Sequence, residues 1–283
     1  MSEIVSTYPV AAFHTRSNVP TTQRTAMNTL ILALGVQIAF LIPSLISHGL
    51  DDRLLDGVSV WSKPIKFELS LMIMSATLIW LLPLIAPEAR QGRAVRWSAL
   101  AIALMGTLEI TYIVIQAARG RASHFNTSTP LEAYLYNAMG IGAVTIVIGC
   151  FVIGWVIWRR ANDRAADGLR FGGALGLMLG AVMTLITAGI LGSGELAANS
   201  HWVGGVRSDA GGLFLVGWSR TGGDLRVPHF FATHIMQGLP LLGLLLDRTL
   251  PRFAGRGIWI GAIAGLLVVA GTFIQAMLGR PFL

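Results

Sequence analysis

Charge is scarce in this chain. Of its 283 residues only 12% are Asp, Glu, Lys or Arg, about half the share of an ordinary soluble domain. With 54% of residues hydrophobic, that scarcity excludes a disordered chain, a nucleic-acid binder built on basic stripes and a standard soluble enzyme. Cysteine is rarer still: Cys150 stands alone in an apolar run, which leaves no disulfide framework and no cysteine-built metal site. Lysine occurs only as Lys63 and Lys66, so a retinal Schiff base in the last apolar segment is out. Residues Met1 to Thr25 are polar and lack the short apolar core of a cleavable signal peptide. The net charge of +7 sits in short runs between apolar blocks, the pattern of membrane loops and not of DNA binding.

What the chain does have is long apolar segments. A membrane span needs about 20 mostly apolar residues, and seven stretches qualify: Met27–His48, Phe67–Ala86, Trp97–Ala118, Leu131–Trp158, Phe171–Gly192, His229–Leu246 and Gly257–Leu278. The expected fold is an all-α, seven-helix transmembrane bundle forming a single domain over 27–283, preceded by a cytoplasmic tail over 1–26. Glycine recurs at every fourth position as Gly172, Gly176, Gly180 and again as Gly257, Gly261, Gly265, which makes smooth faces for close helix packing.

Arginines orient the bundle. Arg90, Arg93, Arg96; Arg159, Arg160, Arg164, Arg170; and Arg248, Arg252, Arg256 occupy three short connections on one side, shared with Arg16 and Arg24 of the tail. The positive-inside rule then places the N-terminus in the cytoplasm and the C-terminus outside, and the inner loops are expected to hold only solvated charge. Five of the six histidines (His48, His124, His201, His229, His234), both lysines and the 35-residue connection Ser193–Val227 fall at the outer side. A connection this long is a lid or binding loop. Its segment Leu213–Trp218 is apolar enough to dip against the bundle.

Several constellations there carry chemistry. Glu109, Tyr112 and Gln116 are spaced i, i+3, i+7 on one helical face. An intramembrane carboxylate marks either a functional cavity, with Glu109 as a catalytic group, or a hydrogen-bonded structural contact. His229 and His234 are five apart, about 140° around an ideal helix. Only one of them is therefore expected to ligate a metal. His234, roughly 7.5 Å deeper, is that candidate, with His201 and His124 contributed by the loops and His229 as a proton carrier; the alternative is neutral core histidines. Thr129-Pro130-Leu131-Glu132 reads as a capping box, which gives Glu132 a structural role. Arg119 and Arg121 suit an anionic group or lipid headgroups. Lys63 and Lys66 open a span where the helix dipole is already positive, and so form either an anion site, for which Glu68 is one possible occupant, or an interfacial anchor. Gln275 and Arg280 bring the last span to the same side.

The HxxxH and HxxHH boxes of membrane desaturases and hydroxylases are absent, as are the same-helix histidine spacing of cytochromes b and the last-span HxxxH of seven-span zinc hydrolases. Two function classes remain. One is a haem- or metal-dependent (Zn, Cu or Fe) redox or hydrolytic protein acting on a membrane-accessible substrate. The other is a transporter or binding protein for a small anionic solute or lipid headgroup; the absence of an inverted repeat argues against a transporter. Expected partners are membrane lipid and a small or lipid-soluble molecule, with no nucleic acid.

The passages Trp61-Ser-Lys-Pro-Ile-Lys-Phe67, Ser123-His-Phe-Asn126, Gly217-Trp-Ser-Arg-Thr-Gly-Gly-Asp-Leu-Arg-Val-Pro-His-Phe230 and Gln275-Ala-Met-Leu-Gly-Arg-Pro281 resemble signatures of a family of uncharacterised multi-pass bacterial integral membrane proteins. The resemblance implies a bacterial inner-membrane location. It supplies no activity, and no functional residue is carried over from it.

Overall fold

The computed structural model describes residues 25–197 and 199–283, so Arg16, Arg24 and most of the expected tail lie outside the described residues. Seven helices are long and apolar enough to cross a membrane. In chain order they are α1 (Thr25–Leu50), α2 (Ser62–Leu81), α4 (Arg93–Ala118), α5 (Pro130–Arg159), α6 (Asp167–Ser193), α7 (Arg226–Thr249) and α8 (Ala254–Met277), with a one-turn α3 (Pro87–Arg90) after α2. Each contains most or all of one expected segment. Two small antiparallel ladders, β1 (Leu54–Leu55) with β2 (Val58–Ser59) and β3 (Trp202–Val203) with β4 (Gly223–Asp224), and two 3-10 turns, Leu82–Leu84 and Pro251–Phe253, accompany the helices.

Successive helices alternate direction, so the connections gather at two ends. Residues 85–92, 159–166 and 250–253 form what we call the arginine end. There the first two connections bond directly, Ala86 N–H to the Arg160 carbonyl (2.9 Å) and Asn162 N–H to that of Leu84 (2.7 Å). Residues 51–61, 119–129, 194–225 and 278–283 form the lid end, where Asp209 N–H reaches the Asp56 carbonyl (2.8 Å). The apolar core lies toward the arginine end, with Leu30, Leu78, Leu81, Leu82, Ile85 and Ile157 all fully buried.

Lipid tails are as apolar as leucine, so burial of apolar surface cannot by itself hold helices together in a bilayer; close packing must. The glycine stripes supply it. A methyl group at Gly172 would strike the Leu239 carbonyl, and one at Gly180 would strike the Met236 side chain. On the other flank of α7, Gly257 and Gly261 of α8 receive the side chains of Leu246 and Leu242. Helix α7 is thus clasped between α6 and α8, which fixes the histidines it carries.

Helix ends corrected one expectation. The loops of the arginine end do not hold only solvated charge. Asp247, at the end of α7, accepts hydrogen bonds from Gly168 N–H and Leu169 N–H (2.7 Å each), and Ala166, which precedes α6, offers no side-chain cap. The first amides of a helix have no intrahelical partner, and a carboxylate there also suits the positive end of the dipole. Arg90, likewise, donates to the carbonyls of Pro83 (3.0 Å) and Ile85 (2.8 Å). Helix α5 starts as expected, with the Thr129 hydroxyl accepting from Glu132 N–H (3.2 Å) and Pro130 in the first turn.

Candidate functional site

The first turns of α2 carry the lysines into the lid end. Lys63 is half-buried; its Nζ lies 5.9 Å from the centroid of the Phe67 ring and has no hydrogen bond or ion pair among the described residues. Lys66, also half-buried, donates only to the Val216 carbonyl of the lid (3.3 Å). Gly217 makes room for it: a side chain there would begin 3.2 Å from Lys66 Nζ, on a backbone at φ +69° that favours glycine. Glu68 does not pair with either lysine. It is fully buried and turned toward α1, where its Oε1 accepts from the Ser44 hydroxyl (2.7 Å) and its Oε2 has no partner.

Facing the lysines from α4 is Glu109, half-buried and without a hydrogen bond among the described residues; Lys63 is within its electrostatic reach but beyond ion-pair distance. The expected stripe on this helix therefore divides. Tyr112 and Gln116 turn instead to Glu132 on α5: the Tyr112 hydroxyl donates to its Oε2 (3.2 Å), as does Gln116 Nε2.

Arg119 and Arg121 also end on this buried carboxylate, at 3.2 Å and 3.4 Å. Both arginines, which suit an anionic group or lipid headgroups by sequence, share this carboxylate and keep about half of their side-chain surface exposed. A carboxylate 3% exposed must collect donors, and Glu132 gathers these two arginines along with its α4 partners. The expected capping box forms only by half. Glu132 donates its N–H to Thr129, while its side chain serves the arginines.

The histidines have different hydrogen-bond partners. His124 sits between α2 and α5, its ring 5.3 Å from that of Phe67 and 5.9 Å from that of Tyr136, with Nδ1 3.2 Å from the Ser123 hydroxyl. Burial, followed by the nearby charges of Lys63, His229 and His201, holds its imidazole well below the ordinary range. His229 Nδ1 meets the Thr187 hydroxyl of α6 at 3.2 Å. His234 points elsewhere, to Gln237 Oε1 (3.2 Å), and Gln237 donates on to Thr77 of α2 (3.3 Å). The two α7 histidines thus face different helices, as their 140° separation requires. His201 belongs to the lid.

An arginine holds that lid down. Arg226 donates to both oxygens of Asp209 (2.8 and 3.0 Å), to Asp224 (2.6 Å at the shortest) and to the Gly217 carbonyl (2.8 Å). Asp224 is 2% exposed and also accepts from Ser219 N–H (3.0 Å). Burial raises the Asp209 carboxyl, but hydrogen bonds from His201 and Arg226 outweigh it and hold the group well below the usual carboxylate range. Burial lowers His201, partly opposed by its bond to Asp209 (3.4 Å). The apolar segment behaves in two ways. Trp218 is buried, edge-on to Phe230 (5.2 Å) and Phe282 (5.4 Å), whereas Phe214 and Leu215 stand 87% and 75% exposed instead of dipping in. Gln275 tethers the C-terminal residues by donating to the Pro281 carbonyl (2.6 Å), and Arg280 is exposed.

The residues expected to bind metal do not converge. Among the described residues no group of three or more His, Cys, Asp or Glu side chains could hold a metal ion. His124, His201 and His234 are engaged by Ser123, Asp209 and Gln237 respectively.

No family model, curated protein or solved structure matches the chain. Sequence reasoning missed three participants: Glu132 as the collector of arginines, Asp247 as a helix cap, and Arg226 as the centre of the lid clamp. The Asp224–Leu225–Arg226 spacing is a usable signal for the last, since a carboxylate two residues before an arginine can meet both its N–H and its guanidinium.

Proposed function

We propose that the lid end is a binding site for a small anionic group, in a membrane protein that captures or transports its ligand. One observation carries the reading. Arg53, Arg119, Arg121 and Arg226 at this end each pair with a carboxylate. Lys63 and Lys66, half-buried beneath the lid, pair with none among the described residues. Sheltered charge without a partner is costly, and a cation at the start of a helix, where the dipole is already positive, is not relieved by its own helix. An anion between the two lysines would relieve both. His124 stands near Lys63 and could contribute a donor, and Glu109 faces Lys63 from α4.

The arginine distribution supports a cytoplasmic arginine end and an external lid end, and the resemblance of the sequence passages to bacterial integral membrane proteins supports an inner-membrane location. A reporter fused after Leu283 is then active only outside the cytoplasm, and one after Arg164 only inside; the reverse result overturns the orientation. The anion reading is tested by calorimetric titration of the purified protein in nanodiscs with inorganic phosphate and with acetate. Saturable binding of at least one, weakened at least tenfold by Lys63→Met with membrane insertion intact, is expected. Equal behaviour of parent and variant, or no binding of either anion, would reduce the lysines to interfacial anchors.

A further inference from the structure

Glu68 stands apart from the lid-end site. It lies on α2 six residues after Ser62, roughly 9 Å into the span at 1.5 Å per residue. Its side chain is fully buried in the seam between α1 and α2, and α4 packs on both helices. One carboxyl oxygen accepts from the Ser44 hydroxyl at 2.7 Å; the other, Oε2, is enclosed and has no partner among the described residues. Seven residues further along each helix, Ser75 donates to Gln37 Oε1 at 3.2 Å. That second polar pair is two turns away along the same seam, about 10.5 Å. Toward the arginine end the seam turns apolar, with Leu30, Leu78 and Leu81 fully buried.

A carboxylate in this place keeps most of its acceptor capacity unmet, and an enclosed charge without partners is costly. Glu132, almost as deeply buried, shows the alternative: two arginines, a tyrosine and a glutamine converge on it. The charged and titratable groups around Glu68 are otherwise occupied or set apart. Lys63 and Lys66 on its own helix belong to the lid-end site. His48 of α1 is exposed, and Glu109 of α4 has Lys63 as its electrostatic neighbour. His124 packs on Phe67, and His234 of α7 reaches α2 only through Gln237 and Thr77. None of them forms a hydrogen bond or ion pair with Glu68 among the described residues.

Two other roles fit less well. A hard metal cation takes several oxygen ligands, and here only Ser44 is at hand. A carboxyl that is protonated for good, as glue between helices, would spend its O–H on an acceptor across the interface, and Oε2 has none.

We infer that Glu68 is a proton-binding site within the membrane, its carboxyl taking up a proton on Oε2 and releasing it again while Ser44 holds Oε1. The proton is exchanged with water at the lid end, the nearer surface and the one away from the apolar core. The site does not rest on the anion reading. A carboxyl that alternates between its two protonation states is what a proton-linked membrane protein requires.

The test is pH-difference infrared spectroscopy of the full chain in nanodiscs, from about pH 4 to about pH 9, a range in which buried carboxyls titrate. Subtracting the spectra of Glu68→Gln, which keeps an oxygen for Ser44, isolates this group from the other carboxyls. The expected result is the carbonyl band of a protonated carboxylic acid, present at low pH, lost as pH rises and missing in the variant. Ser44→Ala should keep the band but move the pH at which it disappears. A band that persists unchanged over the whole range would make Glu68 a permanently protonated structural contact. No band at any pH would make it a permanent anion. Either result overturns the inference. Replacing choline chloride with sodium chloride should leave the titration where it is; a displaced titration would assign the site to a metal cation and overturn the inference as well.

Discussion

The two ends of the bundle treat charge in opposite ways. At the arginine end, groups that could be free are tied to the backbone: Asp247 caps α6 and Arg90 fastens the end of α2, over a core of fully buried leucine and isoleucine. At the lid end the sheltered Arg226 and the exposed Arg119 each pair with a carboxylate, yet the two half-buried lysines do not. The difference teaches where to look. An end whose charged groups are tied to the backbone reads as scaffold, and an end that leaves two sheltered cations without a carboxylate has room for an anion.

The contrast can be broken most forcefully at the clamp. Asp224→Ala removes one partner of a buried ion pair, an operation that costs about 3–5 kcal/mol. It should free residues 194–225 to limited proteolysis while the helices stay intact; unchanged cleavage would show that Arg226 does not hold the lid. Asp247→Ala at the other end removes a helix cap, worth about 0.5–2 kcal/mol. The thermal midpoint should fall, with phosphate binding untouched. A loss of binding there would blur the division between the ends.

His124 sharpens the contrast through pH. Its imidazole is held below the ordinary value of 6.5 by burial and by Lys63, His229 and His201. A base depressed in the folded state takes up protons less readily there than when unfolded. Its stabilising contribution is therefore complete above about 6.5 and is lost as pH falls below it. Thermal midpoints measured between pH 7.5 and roughly 5 should decline for the parent and decline less for His124→Gln. The smallest effect belongs to the Asp167–Arg170 pair, 3.1 Å apart with a well-exposed aspartate. Arg170→Ala should change stability by no more than about 1 kcal/mol.

Much of the architecture was legible in the sequence because it depends on local pattern. Apolar runs define the seven helices, and four-residue glycine spacing marks the faces of α6 and α8 that clasp α7. Helical arithmetic alone separates His229 from His234. What was not legible depends on partners distant along the chain. The N3 position of Glu132 tells only of its N–H, since its side chain is directed by Tyr112 and Gln116 of another helix. Asp209 meets Arg226 across 17 residues of loop. Composition marks the segment Leu213–Trp218 as apolar, but only the tertiary fold decides that Trp218 finds Phe230 and Phe282 while Phe214 finds nothing.

The central claim is that the lysines wait for an anion, and the chain's composition offers a direct way to test it. Lys63 and Lys66 are the only lysines in the chain, so an amine-selective acetylating reagent, read by mass spectrometry of the peptide that holds them, reports on this site alone. In nanodiscs of zwitterionic lipid, both should react slowly in the absence of added anion. Inorganic phosphate or a short-chain phosphatidic acid should then protect them in a saturable way, Lys63 more strongly than Lys66, which already has the Val216 carbonyl. Reaction at the rate of a free lysine, with no protection by either anion, would contradict the account.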